Sequence, residues 1–442
     1  MTETSPAPDR IATAHRRWQE VRWTNALLAT VSEEASLLGG DGELGGLAFT
    51  VKDTFATTGL VSTGGSLLLK DHLPTRDTVF VSRLRAAGAT LFGKGNCAEF
   101  GNGIHTETRV GGRVLHPTDP EVSPGGSSGG DAVAVATGIV DFSIGGDYGG
   151  SVRWPAQCVG VYGLRTSAGL VPRTGRMPSG GGTRATPVIG APAPRGLLSR
   201  VEVPGVYATT PAMISRVLKV ISGSDGDDWF GLDAPRPPAQ RHRRIAITSG
   251  RECGPVSEES LDALSAARAA AVAAGYEIIE VEGLLSDAFE IYNALRDDLD
   301  VLDDLRALVG TETDLLCPGT RNVLASRPGR GWGSAEVRAN WAYSREIVAR
   351  IRGIFGDVDA LLVPVAGVSA VAHDGGVEID GRWIEGPDLM AQCRAISLTG
   401  LPSLTVPTMP TSGGRSVAVQ LVGPPGGDQQ CCDIATELTA QI

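Results

Sequence analysis

Short, largely apolar segments that alternate with amphipathic ones place the strongest constraint on the fold of this chain. Residues 47–51 (LAFTV) form a run short enough for a buried strand, and the run ends at Lys52. Residues 79–87 carry apolar side chains at helical spacing, and after Gly88 the segment 89–94 (ATLFGK) again predicts a strand. The order strand, helix, strand is typical of α/β proteins, so we expect that fold class.

The same alternation continues to the end of the chain. The glycine-rich loop at 125–130 (GGSSGG) is expected to open a helix of small residues, DAVAVATG. Further buried strands are predicted at 140–144, 360–365 and 403–407. The other predicted segments are helices at 12–34, through most of 256–356 and at 428–442, and a Gly/Pro-rich surface loop at 179–200.

The linkers between these segments are short, which favours one domain over residues 1–442. Ser257 is placed to cap a helix that Gly275 would end. Four regions are expected: an N-terminal helical region at about 10–40, a core with the motifs below at about 45–180, a variable helical segment at about 200–390, and a C-terminal sheet and helix at 391–442.

Composition and charge exclude several classes of function. Hydrophobic residues make up 42% of the chain and charged residues 20%, which fits a compact folded protein. The formal net charge is −11, whereas binding a nucleic acid requires an excess of Lys and Arg on one face, so no nucleic-acid partner is expected. The seven cysteines have no metal-ligand spacing and are expected to be reduced thiols.

Hydropathy gives no sign of a membrane or secretion segment. The first twenty residues have no basic start followed by an apolar core, which a secretion signal would need. No apolar run approaches the roughly 18 residues of a membrane span. We therefore expect a cytoplasmic protein without membrane contact.

Three segments carry most of the chemical information, although each has an ordinary alternative. Lys52, in FTVKDTF, could be a solvated lysine at the end of a strand. The PGGSSGG loop around Ser127 could be a flexible turn, or less well a phosphate cradle, because it lacks the GxxxxGK[ST] order of a P-loop. GGDYGGSVRWP around Ser151 could be a simple glycine-rich connection. Their joint presence is harder to explain in this way.

Ser151 has the surroundings of a nucleophile. Because Gly149 and Gly150 precede it, the backbone can turn sharply and present several N–H groups in one place. One such group, directed at the charge that develops on a carbonyl oxygen, contributes about 3 to 4 kcal/mol. A serine hydroxyl also needs a base. None of the six histidines lies in a GxSxG elbow, although His105 and His116 are near the GGSSGG loop and remain open as bases.

Taken together, the three segments resemble the signature of the amidase signature family. They are VKDTF with Lys52, SPGGSSGGDAVAVATG with Ser127, and GGDYGGSVRWPAQCVGVYGLRTSAGLV with Ser151, and the two serines have the characteristic separation of that family, 24 residues. The likeness continues through AAGATLFGKGNCAEFGNG, LTGLPSLTVP and VAVQLVGPPGGDQ. It spans most of residues 45–435, whereas 180–390 match only loosely. The chain is therefore identified as a member of this family.

The resemblance implies a fold and a mechanism. The fold is a single α/β/α domain with a large, mixed, twisted β-sheet covered by helices. In the mechanism, a neutral Lys52 takes a proton from Ser127, Ser127 takes one from Ser151, and Ser151 attacks an amide carbonyl. Water then hydrolyses the acyl-enzyme. Burial can lower the pKa of a lysine from about 10.4 by several units, which would make Lys52 a usable base at neutral pH.

The resemblance also implies roles for the neighbouring residues. The oxyanion hole would consist of the N–H groups of Tyr148, Gly149, Gly150 and Ser151. Substrate contacts are expected from Asn102, Tyr148 and Gly126, and support for the two loops from Ser128, Asp147 and Arg153.

Two segments depart from the family pattern. Tyr148 stands where a small or β-branched residue is usual, so its phenol either projects into or beside the acyl pocket or packs outward. GIHTETRVGGRVLHP replaces the usual approach to the GGSSGG loop, so the contribution of this segment to the pocket stays open. Asp147 and Arg153 could support the site or could simply form a local salt bridge that holds the loop. These two predictions are nearly the same.

These features predict an amidase, a hydrolase that cleaves a carboxylic amide C–N bond. Two alternatives use the same triad: a glutaminase-type subunit of an amidotransferase, and an acyltransferase that passes the acyl group to an amine. A binding protein that has lost catalysis is disfavoured because all three relay residues are present. A small-molecule amide is the expected partner, with no metal or organic cofactor, and a homodimer is left open. The aromatics Trp332, Trp341 and Tyr343 of the variable segment are expected in the core more often than in a pocket.

Overall fold

The computed structural model describes most of the chain. The described residues are 7–32, 40–177, 201–227, 231–232, 242–297, 301–326, 334–373, 375–408, 410 and 414–442. The loop predicted at 179–200 and the side chain of Trp332 lie outside these residues.

The strands of the described residues are β1 Leu27–Thr30, β2 Ala48–Lys52, β3 Thr90–Gly95, β4 Glu107–Thr108, β5 Gly112–Arg113, β6 Phe142–Asp147, β7 Tyr162–Arg165, β8 Val203–Ala208, β9 Arg244–Ile247, β10 Glu277–Glu280, β11 Ala360–Pro364, β12 Val377–Ile379, β13 Arg382–Ile384, β14 Ser403–Pro407 and β15 Ala418–Val422. Eleven of these strands form one mixed sheet in the order β1-β3-β2-β6-β8-β7-β14-β15-β11-β9-β10, and the other four form two small hairpins.

Helices cover both faces of this sheet. They are α1 Ala7–Val21, α2 Val79–Ala86, α3 Gly129–Ala136, α4 Arg153–Val159, α5 Pro211–Ile221, α6 Glu258–Ala273, α7 Ala288–Asp297, α8 Val301–Val309, α9 Pro318–Ser326, α10 Ser334–Gly353, α11 Ala391–Leu398 and α12 Asp428–Thr439. Short 3₁₀ turns lie at Arg22–Thr24, Leu67–Leu69, Glu99–Gly101, Arg251–Cys253, Thr313–Leu315, Ile354–Gly356 and Gly386–Met390.

The alternation of side chains along β2 assigns the helices to layers. Phe49 and Val51 point into a core that also contains residues of α2, α5, α6 and α12. Ala48 points the other way, into a cluster with residues of α1, α3 and α4. On β11, Leu362 joins the first core, whereas Leu361 packs with α7, α10 and α11. The predicted α/β/α arrangement with a large mixed sheet is therefore confirmed.

The pairing of β2 decides where the site lies. It runs parallel to β3 on one side and parallel to β6 on the other. The carboxyl ends of parallel strands meet at one edge of a sheet, so Lys52 and Asp147 lie at the same edge. α4 begins immediately after the turn that carries Ser151, and α3 begins immediately after Ser128 of the GGSSGG loop. The three predicted motifs therefore meet at one edge of the sheet.

Most of the predicted elements are present, with two corrections. The helix predicted at 12–34 ends at Val21, because Asn25 adopts a left-handed φ of 54° and the chain then pairs with β3 as an edge strand. The segment 256–356 is largely helical, and Ser257 caps α6 as predicted by accepting from the Ser260 N–H. That segment also contains β10, an edge strand with polar ends that the helical pattern around it concealed.

Candidate active site

Lys52 is the last residue of β2, and its side chain lies inside the protein, only 3% exposed. Its Nζ donates a hydrogen bond to Ser127 Oγ at 2.6 Å. Burial lowers the pKa of Lys52 below its usual range, and Arg176 acts in the same direction against the opposing effect of nearby acidic groups. The geometry therefore joins a buried amine to the hydroxyl of the GGSSGG loop.

The GGSSGG loop is held at both ends by one hydroxyl. Thr106 Oγ1 donates to the Gly125 carbonyl and accepts from the Gly129 N–H, each at 2.9 Å. The bond between Gly126 and Ser127 is a cis peptide. A Cβ on Gly126 would lie 2.7 Å from the backbone of His105, so only glycine fits there. Gly126 is thus part of the packing of the loop.

Ser128 connects this loop to the next motif. Its hydroxyl donates to the Gly146 carbonyl and accepts from the Gly146 N–H, both at the long distance of 3.4 Å. Gly146 belongs to β6, the strand that leads to Ser151. Ser128 therefore fixes the spacing between the two serine-bearing loops.

Ser151 lies in the turn between β6 and α4 and is 8% exposed, the most accessible of the three relay residues. Its carbonyl accepts a hydrogen bond from Tyr207 Oη at 3.0 Å, which ties the turn to β8. Among the described residues, the hydroxyls of Ser127 and Ser151 make no hydrogen bond with each other. Proton transfer between them therefore requires rotation of a side chain, and catalytic hydrogen bonds are often open in a ligand-free site.

The backbone N–H groups of the turn divide into two kinds. The Gly150 N–H donates to Asp147 Oδ1 at 3.0 Å, and the Val152 N–H donates to Asp147 Oδ2 at 3.1 Å. The inclusion of Gly150 in the predicted oxyanion hole therefore disagrees with this geometry, because its hydrogen is already directed at a carboxylate. The N–H groups of Tyr148, Gly149 and Ser151 make no hydrogen bonds within the described part of the chain.

Asp147 is the centre of a fully buried charge network. Its carboxylate pairs with Arg153 at 2.9 Å and with Arg165 at 3.0 Å. Arg153 also donates to the Cys393 carbonyl at 3.0 Å and to Gln420 Oε1 at 2.7 Å. The network therefore connects the Ser151 turn to α11 and β15.

The pKa of Asp147 reflects this network. Burial alone would raise the pKa of a carboxyl group, but the guanidinium groups of Arg153 and Arg165 and hydrogen bonds from the turn hold it well below its usual range. Asp147 is thus an ionised anchor for the turn. The predicted salt bridge is present, and it serves the Ser151 loop.

Aromatic and cationic side chains also pack around the Ser151 turn. Tyr148 packs against Tyr292, with ring centroids 5.5 Å apart. Tyr148 Oη is buried and has no hydrogen-bond partner among the described residues. Arg394 donates to Asn293 Oδ1 at 2.7 Å, and its Cζ lies 5.6 Å from the Tyr292 ring centroid. The Tyr148 phenol is therefore packed inside the protein beside the turn.

Asn102 lies near the relay through its neighbour. A Cβ on Gly101 would be 3.7 Å from both Lys52 Nζ and Ser127 Oγ. Asn102, the next residue, is half-buried, and its N–H donates to the Glu99 carbonyl at 3.0 Å. The structure thus places Gly101, the residue before Asn102, beside the Lys52–Ser127 pair.

The two histidines left open by the sequence have other partners. His105 Nδ1 lies 2.7 Å from Ser123 Oγ, and His116 Nε2 lies 2.9 Å from the Cys158 carbonyl. Within the described residues, neither ring hydrogen-bonds to Ser127 or Ser151. Of the lysine and these two histidines, Lys52 is the one that hydrogen-bonds to a candidate relay serine, Ser127.

The aromatics of the variable segment differ from one another in burial. Trp341 is half-buried and packs against the cluster that contains Tyr292. Tyr343 is 37% exposed and hydrogen-bonds to Asp287. Trp341 packs against this core but also lines a cavity, so the predicted core placement holds for it only in part. Tyr343 is not in the core, because the outward face of α10 carries it.

Sequence reasoning missed several residues around the site. Arg165 lies on the buried strand β7 and Asp131 in a helix of small residues, and a charged residue in such a setting signals a buried counter-ion or hydrogen bond. Tyr292 and Arg394 are more than a hundred positions from Ser151, and no local pattern points to them.

Metal-ligand clusters and membrane-spanning helices are both absent from the described residues. These residues contain no group of three or more His, Cys, Asp or Glu side chains that could hold a metal ion. No helix among them is both long enough and apolar enough to cross a membrane.

Comparison with known proteins identifies the family. The family model described as Amidase matches residues 4–432. A glutamyl-tRNA(Gln) amidotransferase subunit from Thermus thermophilus is 30% identical over 433 residues, covering 90% of this chain and 85% of that protein. The same subunit from Methanospirillum hungatei is 35% identical over 230 residues, 52% of this chain, and the match spans about half of that relative, 48%.

The fold leads to the same family. A crystal structure of an amidase superimposes with a TM-score of 0.82 at 25% identity, covering 99% of this chain and 96% of that one. A family match over nearly the whole sequence confirms the resemblance first seen in the three motifs. The chain therefore belongs to the amidase family, whose enzymes act on amide C–N bonds.

Proposed function

We propose that this protein cleaves a carboxylic amide through a Ser151 acyl-enzyme, with Ser127 and Lys52 as the proton relay. The observation that carries the proposal is the buried hydrogen bond of 2.6 Å between Lys52 Nζ and Ser127 Oγ, next to the turn that presents Ser151. Burial lowers the pKa of Lys52, which favours the neutral amine that a base requires. It replaces the histidine of the more familiar serine hydrolases.

In the first step, Ser151 Oγ attacks the carbonyl carbon while its proton passes to Ser127 Oγ and the Ser127 proton passes to Lys52 Nζ. The carbonyl oxygen becomes an oxyanion, for which we propose the N–H groups of Tyr148, Gly149 and Ser151 as donors. Collapse of this intermediate breaks the C–N bond. The leaving nitrogen takes the proton back through the same relay, and the acyl group stays on Ser151.

In the second step, an acceptor molecule, water or an amine, attacks the carbonyl carbon of the acyl-enzyme. Water gives a carboxylic acid and restores Ser151, and an amine would give a new amide. The relay moves the proton in the same way for either acceptor, so the triad alone does not select between them.

For the amide donor, we propose glutamine or a similar primary amide, with the protein acting as the amide-cleaving subunit of an amidotransferase. The support is the similarity to relatives named as glutamyl-tRNA(Gln) amidotransferase subunits, one of them aligned over 90% of this chain. Release of ammonia would be the contribution of this subunit, and a partner chain would use it.

A free-standing amidase is the second candidate. The solved amidase at 25% identity, which covers 99% of this chain, favours it.

The test is a substrate panel assayed with the purified protein and with the Ser151→Ala variant. Glutamine, asparagine, small aliphatic amides, aryl amides and dipeptide amides are compared for release of ammonia or amine. Turnover confined to glutamine supports the subunit proposal, and turnover of the other amides supports the free-standing amidase. Undiminished turnover of any amide by the Ser151→Ala variant would overturn the mechanism.

A further inference from the structure

A buried carboxyl group lies beside Lys52 that the relay does not use. Asp131 is in the first turn of α3 and is fully buried. Its carboxylate packs against Gly95, since a Cβ on Gly95 would collide with both carboxylate oxygens. Gly95 is the partner of Lys52 in the pairing of β2 with β3. The missing side chain at Gly95 thus provides the space that the carboxylate occupies next to Lys52.

A hydrogen-bonded pair of hydroxyls holds the carboxylate in this place. Ser143 Oγ donates to Asp131 Oδ1 at 2.7 Å. Ser143 Oγ also lies 2.7 Å from Thr50 Oγ1, which can donate to it. Thr50 precedes Lys52 by two positions on β2, so the two side chains share a face of the sheet. Asp131, its support and Lys52 therefore lie on one face.

The second carboxylate oxygen has no such support. Asp131 Oδ2 is buried and has no hydrogen-bond partner within the described residues. A buried, unpaired carboxylate oxygen is costly unless the group is protonated or lies near a cation. Burial raises the pKa of Asp131 to about 7, whereas burial lowers the pKa of Lys52. The pKa values of the two groups therefore lie closer together than usual. This favours a state in which the two groups together hold one proton.

The other charged groups nearby have partners of their own. Asp53 lies 3.8 Å from Lys94 and accepts from the Thr63 N–H at 2.8 Å. Arg176 forms an ion pair with Glu202. Arg176 and Glu202 shift the pKa of Lys52 in opposite directions. Of the carboxyl groups that raise the pKa of Lys52, Asp131 is the one without an ion-pair partner within the described residues.

Cys97 is the remaining titratable group. Burial raises the pKa of its thiol well above its usual range, so it contributes no charge.

We propose that Asp131 is a positioning residue that shares one proton with Lys52 and so sets the pH range in which Lys52 acts as a base. With the proton on Asp131, Lys52 is neutral and can take the proton of Ser127. With Asp131 ionised, the proton stays on the Lys52 ammonium and the relay is blocked. This inference rests on the proposed function, because it needs Lys52 as the base.

The test is the pH dependence of covalent labelling of Ser151 by a fluorophosphonate probe, which requires no known substrate. Ser151 Oγ attacks phosphorus, fluoride leaves, and the proton passes to Lys52 through Ser127. Asp131→Asn removes the negative charge that favours the ammonium, so Lys52 loses its proton at lower pH. We expect the acidic limb of the labelling rate to move down by about one pH unit or more, as for a neighbouring charge within 4 to 6 Å.

Two further variants complete the experiment. Ser143→Ala removes the hydrogen-bond donor to the charged Asp131 carboxylate, so the acidic limb of the labelling rate should also move to lower pH, but by less. If Asp131→Asn does not fold, the Ser143→Ala result tests the inference. Asp357→Asn, at an exposed site, should leave the profile unchanged. An acidic limb that stays in place in both active-site variants, while labelling persists, overturns the inference.

The Ser151→Ala variant separates this inference from the proposed function. Labelling or turnover that survives in Ser151→Ala defeats the proposed function itself. Labelling that depends on Ser151 but keeps its pH profile in Asp131→Asn and Ser143→Ala defeats only the role of Asp131.

Discussion

At the scale of single residues, Lys52 and Asp147 are both buried, but their partners differ in how well they stabilise the charged form. Lys52 has a hydroxyl as its direct hydrogen-bond partner, and burial lowers its pKa. Asp147 has two guanidinium groups and several N–H donors, so it stays ionised against the cost of burial. The difference lies in the partners, since an opposite charge at hydrogen-bond distance can compensate for lost solvation and a neutral hydroxyl does so poorly. One residue is thereby suited to proton transfer and the other to anchoring.

Replacement of Lys52 by Met should abolish the relay without unfolding the protein. Met fills a similar volume and removes a buried amine, so the midpoint of urea denaturation should be retained or raised. The rate of fluorophosphonate labelling of Ser151 should fall by at least about 100-fold, the usual contribution of a general base. Lys70→Met, at an exposed position, is the matched control. A labelling rate within a factor of about three of wild type would argue against Lys52 as the base.

Replacement of Asp147 by Asn should destabilise the fold. It leaves Arg153 and Arg165 without their shared counter-ion in a dry interior, and breaking a buried pair in this way costs about 3 to 5 kcal/mol. The urea midpoint at pH 7 should therefore drop.

The pH dependence of this effect has a definite sign. The pKa of Asp147 is depressed in the folded state, so its contribution to stability is complete above the unfolded pKa of about 3.9 and is lost as the pH falls toward the folded value. The difference in the free energy of unfolding between wild type and Asp147→Asn should become smaller below about pH 4. A constant difference down to about pH 2 would mean that Asp147 is not the ionised anchor.

At the scale of elements, the Ser151 turn is shaped by the helices that pack against it. A Cβ on Gly149 would lie 2.7 Å from Tyr292 Oη on α7, and a Cβ on Gly150 would lie 2.7 Å from Cys393 Cβ on α11. Gly150 also has φ +119°, a conformation that L side chains rarely adopt. The two glycines therefore let the turn approach α7 and α11 closely, in addition to any role of their N–H groups.

Gly149→Ala should displace the turn and slow labelling of Ser151. The added methyl group collides with the Tyr292 hydroxyl, so a second substitution, Tyr292→Phe, should restore part of the labelling rate by removing the atom it meets. Gly353→Ala, at a glycine with no atom within 4 Å of its Cβ, is the control and should label normally. Equal rates in the single and double variants would show that this contact does not shape the turn.

At the scale of the whole molecule, one sheet collects residues that are far apart in the sequence. The Asp147–Arg153 pair contacts Ser397 and Gln420, which lie on α11 and β15. The same sheet and its helices enclose most of the thiols. Six of the seven cysteines are buried, Cys317 is half-buried, and all seven are free.

The thiols should consequently be protected in the folded protein. Burial raises the pKa of Cys317 to about 11 and that of Cys393 to about 12, so few thiolates exist near pH 8. A thiol reagent such as dithionitrobenzoate should titrate at most one group quickly in the native protein, and all seven after denaturation. The fast group, if present, should vanish in Cys317→Ser. Rapid titration of several thiols without loss of structure would contradict this enclosure.

The sequence alone predicts part of the fold and of the candidate site, because these features depend on local patterns of residues. The apolar run before Lys52, the glycines around Ser127 and Ser151 and the alternation of strands and helices are all readable along the chain. They were sufficient for the α/β class, the family and the three relay residues as candidates. The end of the first helix was missed, since the left-handed Asn25 and its pairing with β3 depend on a distant strand.

The tertiary structure decided which groups meet. The Gly150 N–H is taken by Asp147, Arg165 joins Arg153 as its counter-ion, and Asp131 lies beside Lys52 over Gly95. The contacts of Arg165 and Asp131 do not follow from spacing, because the sheet brings together residues that are separated by a helix or more in the sequence. The sequence by itself therefore determined the three candidate relay residues and the elements that carry them. Only the packing of the sheet determined the solvation and charge around Lys52, on which its proposed role as a base depends.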